Sequence, residues 1–397
     1  MKFIHTGDLH IGKQVHEFSM LEDQKYILDE IVNIAKEEEA DAILLAGDVY
    51  DRSVPPAEAV SLLDDFLSKL TESGKKVFLI SGNHDSPERL SFASEILERE
   101  GVYITGLLPD QMKEIVMKDE FGPIHVYLMP FAKPQVIRQV MTKSSEGKIP
   151  SYEESIRNYI GQTIVKEEER NLLMTHHFIT NQGVEPEQSD SESLISVGGT
   201  DNIDVSTFDA FDYVALGHIH RAQKVGRDTV RYSGSPLKYS FSEVFHKKSV
   251  CVIEMKEKGN VEVRLRELNP IRDMRKIKGT LEDLVSSEVV SAGNANDYIE
   301  ATLTDKEELI DPISRLRASY PNIMHLRMEQ RERKEEGITE AKEAIKKMSP
   351  LEIFEEFYEK VSGREFTEEK REIMVPIIDE AVSYYHGSEK KTEGGDK

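Results

Sequence analysis

Residues 3–12, "FIHTGDLHIG", place Asp8 and His10 just after a short apolar run, with Gly7 at the break. An Asp-x-His pair in a turn is ordinary loop chemistry on its own. It acquires meaning because four further apolar stretches end in the same way. "DAILLAGDVYD" ends in Asp48 and Asp51, "KKVFLISGNHD" in Asn83, His84 and Asp85, "NLLMTHH" in His176 and His177, and "DYVALGHIH" in His218 and His220. Several of these clusters follow a glycine, which lets the backbone turn tightly. In an α/β sheet the carboxyl ends of the strands share one edge, so clusters far apart in the chain are expected to meet there.

The segments between these stretches are helical in pattern. Leu21, Ile27, Leu28, Ile31, Ile34 and Ala35 recur at the spacing of one helix face, and "AEAVSLLDDFLSKLTESG" reads as a helix with a glycine stop. A further helix is expected from Ser86 to about Glu98. Strands alternating with helices predict an α/β fold whose sheet is covered on both faces. The middle of the chain is richer in strands, with "HVYLMPF", "SVCVIEM" and "VEVRLREL", while "TNQGVEPEQSDSESLISVGG" reads as a polar, mobile loop. From Asn269 the pattern becomes that of a small strand-helix-strand-helix-strand unit. The expected organisation is a catalytic domain at 1–268, an α/β capping subdomain at 269–335, a helical segment at 336–387 and a disordered polar tail at 388–397.

With 397 residues, 38% hydrophobic and 31% charged, the chain has the composition of a soluble protein with room for more than one domain. No apolar run approaches the roughly 18 residues of a membrane span. "MKFIHTGD" enters a strand directly and shows no secretory signal, so a cytoplasmic location away from membranes is expected. The single cysteine, Cys251, is expected to be a buried structural thiol. A net charge of −23 argues against broad, non-specific adhesion to nucleic acid through a cationic surface, and leaves room for a local basic groove or a partner that supplies the charge. Two stretches run against that average. Residues 264–278 carry Arg264, Arg266, Arg272, Arg275, Lys276 and Lys278, and residues 315–334 carry Arg315, Arg317, Arg327, Arg331, Arg333 and Lys334. Both are candidate phosphate-contacting surfaces.

The strand-end donors are Asp, Asn and His, with no cysteine. That mixture suits Mn²⁺, Fe²⁺ or Zn²⁺ better than Ca²⁺ or a structural zinc knot. Two cations about 3.5–4 Å apart that share a carboxylate clamp the attacking and leaving oxygens of an in-line displacement.

Taken together, "GDLH", "GDVYD", "GNHD", "THH" and "GHIH" resemble the motifs of the calcineurin-like metallophosphoesterases, over residues 1 to about 255. The stretches "SPERLSFASEIL", "SDSESLISVGG" and "YSGSPLKYSFSE" narrow the resemblance to the SbcD-type bacterial nuclease subunits. This resemblance implies a two-sheet sandwich flanked by helices and two divalent metal ions, Mn²⁺ first among the candidates. One would sit on Asp8, His10, Asp48 and His220, the other on Asp48, Asn83, His176 and His218, with Asp48 bridging. His177 is the alternative to His176. His84 would face the scissile phosphate instead of a metal, oriented by the Asp51 carboxylate.

The resemblance further implies DNA as substrate, with 3′-to-5′ degradation of duplex ends and cutting of single strands and hairpins in replication, recombination and repair. Leu351, Phe354, Phe357, Tyr358 and Val361 form one apolar stripe, and Ile373, Met374, Ile377, Ile378, Ala381 and Val382 a second. By resemblance these helices dock on the coiled-coil base of an SbcC-type ATPase, in an assembly with two copies of each subunit and a homodimer of this chain. The chain lacks a G-x-x-x-x-G-K-[ST] loop, so ATP would belong to that partner. The alternative keeps the metal site but takes a small phosphoester, such as a cyclic nucleotide. A scaffold that had lost catalysis would show gaps among the ligand positions, and the sequence shows none.

Overall fold

Alternation along the strands decides how the layers form in the computed structural model of this chain. The structure describes residues 1–142, 150–192, 202–307 and 309–329, with isolated residues between 351 and 377. The first six-stranded sheet is ordered Val261–Glu267, Ser249–Met255, Lys2–Thr6, Ala42–Ala46, Lys76–Ile80, Val102–Thr105. The last four of these run parallel, and Ser249–Met255 pairs antiparallel with Lys2–Thr6. The second sheet is ordered Gln223–Val225, Arg227–Tyr232, Tyr213–Leu216, Arg170–Thr175, Gly122–Met129, Lys113–Asp119. Its four middle strands are parallel.

Phe3, Leu44 and Phe78 of the first sheet pack against Val126, Leu172 and Ala215 of the second, forming the interior of a sandwich. One residue along, Ile4, Ile43, Leu45 and Leu79 point the other way, onto the apolar faces of the helices Leu21–Glu37 and Ala57–Glu72. On the far side, Tyr127, Leu173, Val214 and Leu216 meet the helix Tyr152–Gly161. Each fully buried side chain of this kind stabilises the fold by about 1.5–3 kcal/mol. A third, three-stranded sheet is ordered Met274–Gly279, Tyr298–Leu303, Ile323–Met328.

The chain forms two compact units, Met1–Ala301 with Ile310–Leu326, and Thr302–Leu309 with Arg327–Lys397. Most of the second lies outside the described residues. Within it Phe366 is buried, with its ring against those of Phe354 and Tyr358. The remaining expectations for the segments 336–387 and 388–397 lie outside the described residues. No helix among the described residues is long and apolar enough to cross a membrane. Cys251 is buried, as its apolar strand implies.

Three local features depart from the expectation. The helix expected over Ser86 to Glu98 is two short ones, Pro87–Leu90 and Ser94–Leu97. Ser91 bonds its hydroxyl back to the Pro87 carbonyl, and Ala93 takes a left-handed φ of 58°, which together end the first turn. The strand Lys113–Asp119 and the helix Tyr152–Gly161 are additional elements. Ser151 and Glu154 close a full capping box on the latter, a signal present in "SYEES".

At the base of the sandwich the Arg170 guanidinium is buried and donates to Asp119, to the Gly122 carbonyl and to the carbonyls of Met255 and Lys256. Burial works against the Asp119 charge, yet Arg170, the Met1 ammonium and the Phe121 N–H together more than offset it and hold the carboxyl well below its usual range. The unfolded chain therefore takes up this proton at higher pH than the folded one. The contribution is complete above pH about 4 and is lost as pH falls further. Asp119→Asn is expected to cost about 3–5 kcal/mol at neutral pH, because it strands a buried cation. Urea unfolding at pH 7 and at acid pH checks both the loss and its disappearance on acidification.

Candidate metal centre

Each strand-end cluster sits where its strand leaves the sheet, and the two sheets bring these ends together. Thr6 leads to Asp8, Ala46 to Asp48 and Ile80 to Asn83 in the first sheet, while Thr175 leads to His176 and Leu216 to His218 in the second. Two glycines make the meeting possible. A Cβ on Gly217 would lie 1.8 Å from the Ala46 carbonyl oxygen, and one on Gly47 would lie 2.3 Å from His176 Nδ1. Gly217→Ala must therefore separate the two sheet edges. Loss of divalent-cation binding is expected together with a lowered melting temperature, readable by calorimetry.

Asp48 is the centre of the cluster. Its Oδ2 lies 3.3 Å from His176 Nε2, 3.8 Å from His10 Nε2 and 4.0 Å from His84 Nε2. Its Oδ1 accepts the His84 main-chain N–H at 2.9 Å. Asn83 Oδ1 lies 3.0 Å from His176 Nε2 and 3.2 Å from His218 Nδ1. On the other side His10 Nε2 and His220 Nε2 face each other at 3.1 Å, and Asp8 Oδ1 accepts the His218 N–H at 2.8 Å. Ligand-type atoms of Asp8, His10 and His220 lie within 4.8 Å of one another, and so do those of Asp48, His176 and His218. Asp8, His10, Asp48 and His218 all hold positive φ, between 45° and 102°. Strain of this kind at non-glycine residues persists where the surrounding structure enforces it, commonly at functional sites.

The residues fit a pair of cations. Asp8 Oδ2 is buried with no partner, and two imidazole nitrogens at 3.1 Å repel unless a proton or a cation lies between them. Charge is already in conflict here. Burial pushes the Asp8 carboxyl up to about 7, against the pull of His176 and His220. Burial also opposes the Asp48 charge, but His176, His10 and His84 hold that carboxyl well below its usual range. His176 is raised to about 9, because Asp48 outweighs the cost of burying the cation. Burial lowers His10 to about 4 and pushes His218 well down, leaving both as neutral lone-pair donors.

The neighbouring histidine, His177, lies elsewhere. Its Nδ1 bonds with Thr175 Oγ1 at 2.6 Å, and its ring lies beside Phe131 and Tyr152. His84 is the one partly exposed histidine of the cluster, at 21% against 3% or less for the other four. Its ring Nδ1 donates to the Asp51 main-chain carbonyl at 2.9 Å. The expected route through the Asp51 carboxylate is thus revised, since that group lies 2.7 Å from Lys13 Nζ and 3.6 Å from His10 Nδ1.

Asp85 ends the third cluster, and its job is visible only in the folded chain. Its carboxylate accepts the N–H groups of Val49, Tyr50 and Gly82, clasping two strand-end loops together. Gln24 bonds the His10 carbonyl and the Gly12 N–H, fixing the first loop from behind. The loop expected to be mobile is tied down over 187–192, through Glu187, Asp190, Ser191 and Glu192. The remainder of that stretch, from residue 193, lies outside the described residues.

The basic stretch at 264–278 also differs from its expectation. Arg264 pairs with Glu38, Arg266 with Glu37, Arg272 with Glu22 and Asp23, Arg275 with Asp297 and Lys276 with Glu300. These cations hold the chain's own acids. In the second stretch Arg315 and Arg317 are exposed on the helix Pro312–Ser319, and Arg331, Arg333 and Lys334 lie outside the described residues.

Residues 1–222 match the family described as calcineurin-like phosphoesterase, and residues 270–362 match the type 5 capsule protein repressor C-terminal domain. The SbcD component of the nuclease SbcCD from Staphylococcus epidermidis is 33% identical over 82% of this chain and 85% of its own. Its counterpart from Staphylococcus saprophyticus is 30% identical over 96% and 99%. Among solved structures, a dimetal phosphatase from Danio rerio aligns with 67% of this chain and 96% of its own, at 12% identity and a TM-score of 0.42. The chain belongs to the calcineurin-like phosphoesterases and, within them, to the SbcD components of the SbcCD nucleases.

Proposed function

We propose that this chain is a Mn²⁺-dependent DNA phosphodiesterase, working as the catalytic subunit beside an SbcC-type ATPase in the cytoplasm. The observation that carries this reading is the convergence of five strand-end clusters on the Asp48 carboxylate, with one partly exposed histidine at the rim. Asp8, His10, Asp48 and His220 would hold one cation, and Asp48, Asn83, His176 and His218 the other. When bound, the pair supplies Lewis acidity that activates a water and neutralises phosphate charge.

The remaining work falls to the chain itself. The Asp51 carbonyl holds His84 Nδ1–H, which fixes the ring and leaves Nε2 on the site side. In its imidazolium form, with a second proton on Nε2, His84 can give that proton to the leaving oxygen and stabilise the charge that develops on it. Asp85 and Gln24 keep the ligand loops at fixed separation, so that the substrate does not have to reorganise them. The C-terminal part from residue 269 is assigned a capping and partner-docking role, supported by the match of residues 270–362 to a C-terminal domain family. The finer activities, 3′-to-5′ degradation of duplex ends and cutting of single strands and hairpins, are assigned on the likeness to the SbcD nucleases.

The test is degradation of an end-labelled linear duplex by the purified chain in Mn²⁺, with and without the ATPase partner, beside a chromogenic phosphodiester. Duplex cleavage supports the reading. Cleavage of the small ester alone, even with the partner added, overturns it in favour of a small-phosphoester hydrolase.

A further inference from the structure

Behind the Asp8–His10–His220 side of the centre, a chain of buried polar groups leads away from His220. Lys248 Nζ pairs with Glu243 Oε2, and both side chains are buried, at 6% and 0% exposure. Lys248 also donates to the His220 carbonyl and to Ser235 Oγ, each at 2.8 Å. The other Glu243 oxygen accepts the hydroxyl proton of Ser191, and Ser191 Oγ lies 2.7 Å from His220 Nδ1. Ser191 stands on the segment 187–192, held in place by contacts of its neighbours. Glu192 Oε1 accepts the His220 N–H at 2.7 Å, the Asp190 N–H donates to Ser242 Oγ at 3.0 Å, and Gln223 Oε1 accepts the Glu187 N–H at 3.0 Å.

The protons in this chain can be counted. A hydroxyl has one proton to donate. A carboxylate paired with Lys248 can only accept, so the Ser191 proton goes to Glu243 and not to Ser189 Oγ, which lies 3.0 Å from Ser191 Oγ and gives its own proton to Glu192 Oε1. Ser191 Oγ must then accept from His220, which places the His220 proton on Nδ1. In the neutral ring this leaves the lone pair on Nε2, and Nε2 is the atom that faces His10 inside the centre. Glu243 cannot replace the serine without movement, because its Oε1 lies 3.6 Å from His220 Nδ1.

We propose that Ser191 is a positioning residue for His220, relaying the Lys248-paired Glu243 carboxylate to the outer ring nitrogen and so fixing the tautomer that binds a cation. This inference rests on the reading of His220 as a cation ligand. Partners of this kind behind a ligating histidine typically contribute about 10–100-fold in metal affinity.

The experiment is a calorimetric Mn²⁺ titration of the metal-stripped full chain, which needs no activity, on wild type, Ser191→Ala, Ser191→Thr and His220→Ala. Melting temperatures are read without metal. Ser191→Ala is expected to weaken one Mn²⁺ site by about 10–100-fold with the melting temperature unchanged, and Ser191→Thr, which keeps the hydroxyl, to restore it. If His220→Ala weakens binding and Ser191→Ala does not, the relay is overturned while the metal reading stands. Wild-type binding by His220→Ala overturns the ligand reading beneath it. Equal losses of binding and of melting temperature in both serine variants would mean a structural role only and would also overturn the relay.

Discussion

Asp48→Ala is expected to lower Mn²⁺-dependent phosphodiester cleavage by at least about 10³-fold, corresponding to about 4 kcal/mol in the barrier. Among the described residues, Asp48 is the one carboxylate within 4 Å of histidine nitrogens from three different loops, those of His10, His84 and His176. Its removal leaves the Asp8 and His176 sides of the centre with no shared anion. His176 then loses the partner that holds its proton, because Asp48 leads the interactions that raise it. The fold should survive, since the sandwich interior is built from Phe3, Leu44, Phe78, Val126 and their neighbours, away from this edge. Far-ultraviolet circular dichroism and a Mn²⁺ titration, run with the cleavage assay, separate lost metal from lost structure. A folded Asp48→Ala variant that binds two Mn²⁺ ions as wild type does would contradict the assignment of Asp48 as the bridge.

His84→Ala should behave differently. Cleavage is expected to fall by about 10²–10⁴-fold, the usual contribution of a general acid or a charge-stabilising side chain. Mn²⁺ affinity should stay near wild type. The reason is local: the contact that His84 makes to Asp48 Oδ1 comes from its main-chain N–H, which alanine keeps. The ring is partly exposed at the rim and is held by the Asp51 carbonyl, so its loss opens no cavity in the core. A parallel loss of metal affinity would move His84 from the phosphate side of the mechanism to the ligand set.

Much of the site is legible in the sequence because its signal is local. Each ligand candidate follows an apolar strand within a few residues, sheet geometry gathers the strand ends of each sheet at one edge, and the sandwich then brings the two edges together. His176 and His177 are not separable by that logic, since adjacent residues at a strand end face different ways only once the turn is known. The turn sends His176 toward Asp48 and His177 toward Thr175.

The basic stretch at 264–278 is deceptive for the opposite reason. The acids that neutralise Arg264, Arg266 and Arg272 are Glu38, Glu37, Glu22 and Asp23, more than 200 positions away. No local window of sequence pairs them. The segment 187–192 reads as loose loop because serines and acids without periodicity resemble solvated chain. Its partners, His220, Ser242 and Gln223, become visible only when the second sheet is folded. The edge strand Lys113–Asp119 falls in the same class, set by its pairing with Gly122–Met129, whereas the break at Ala93 is local, made by the Ser91 hydroxyl and a left-handed residue that helix periodicity does not register.

The most direct test of the central claim is anomalous X-ray diffraction from crystals of the full chain grown with Mn²⁺. Two manganese peaks are expected on either side of the Asp48 carboxylate, one against Asp8, His10 and His220, the other against Asn83, His176 and His218. A single peak that leaves either group without metal, or two peaks placed away from Asp48, would contradict it.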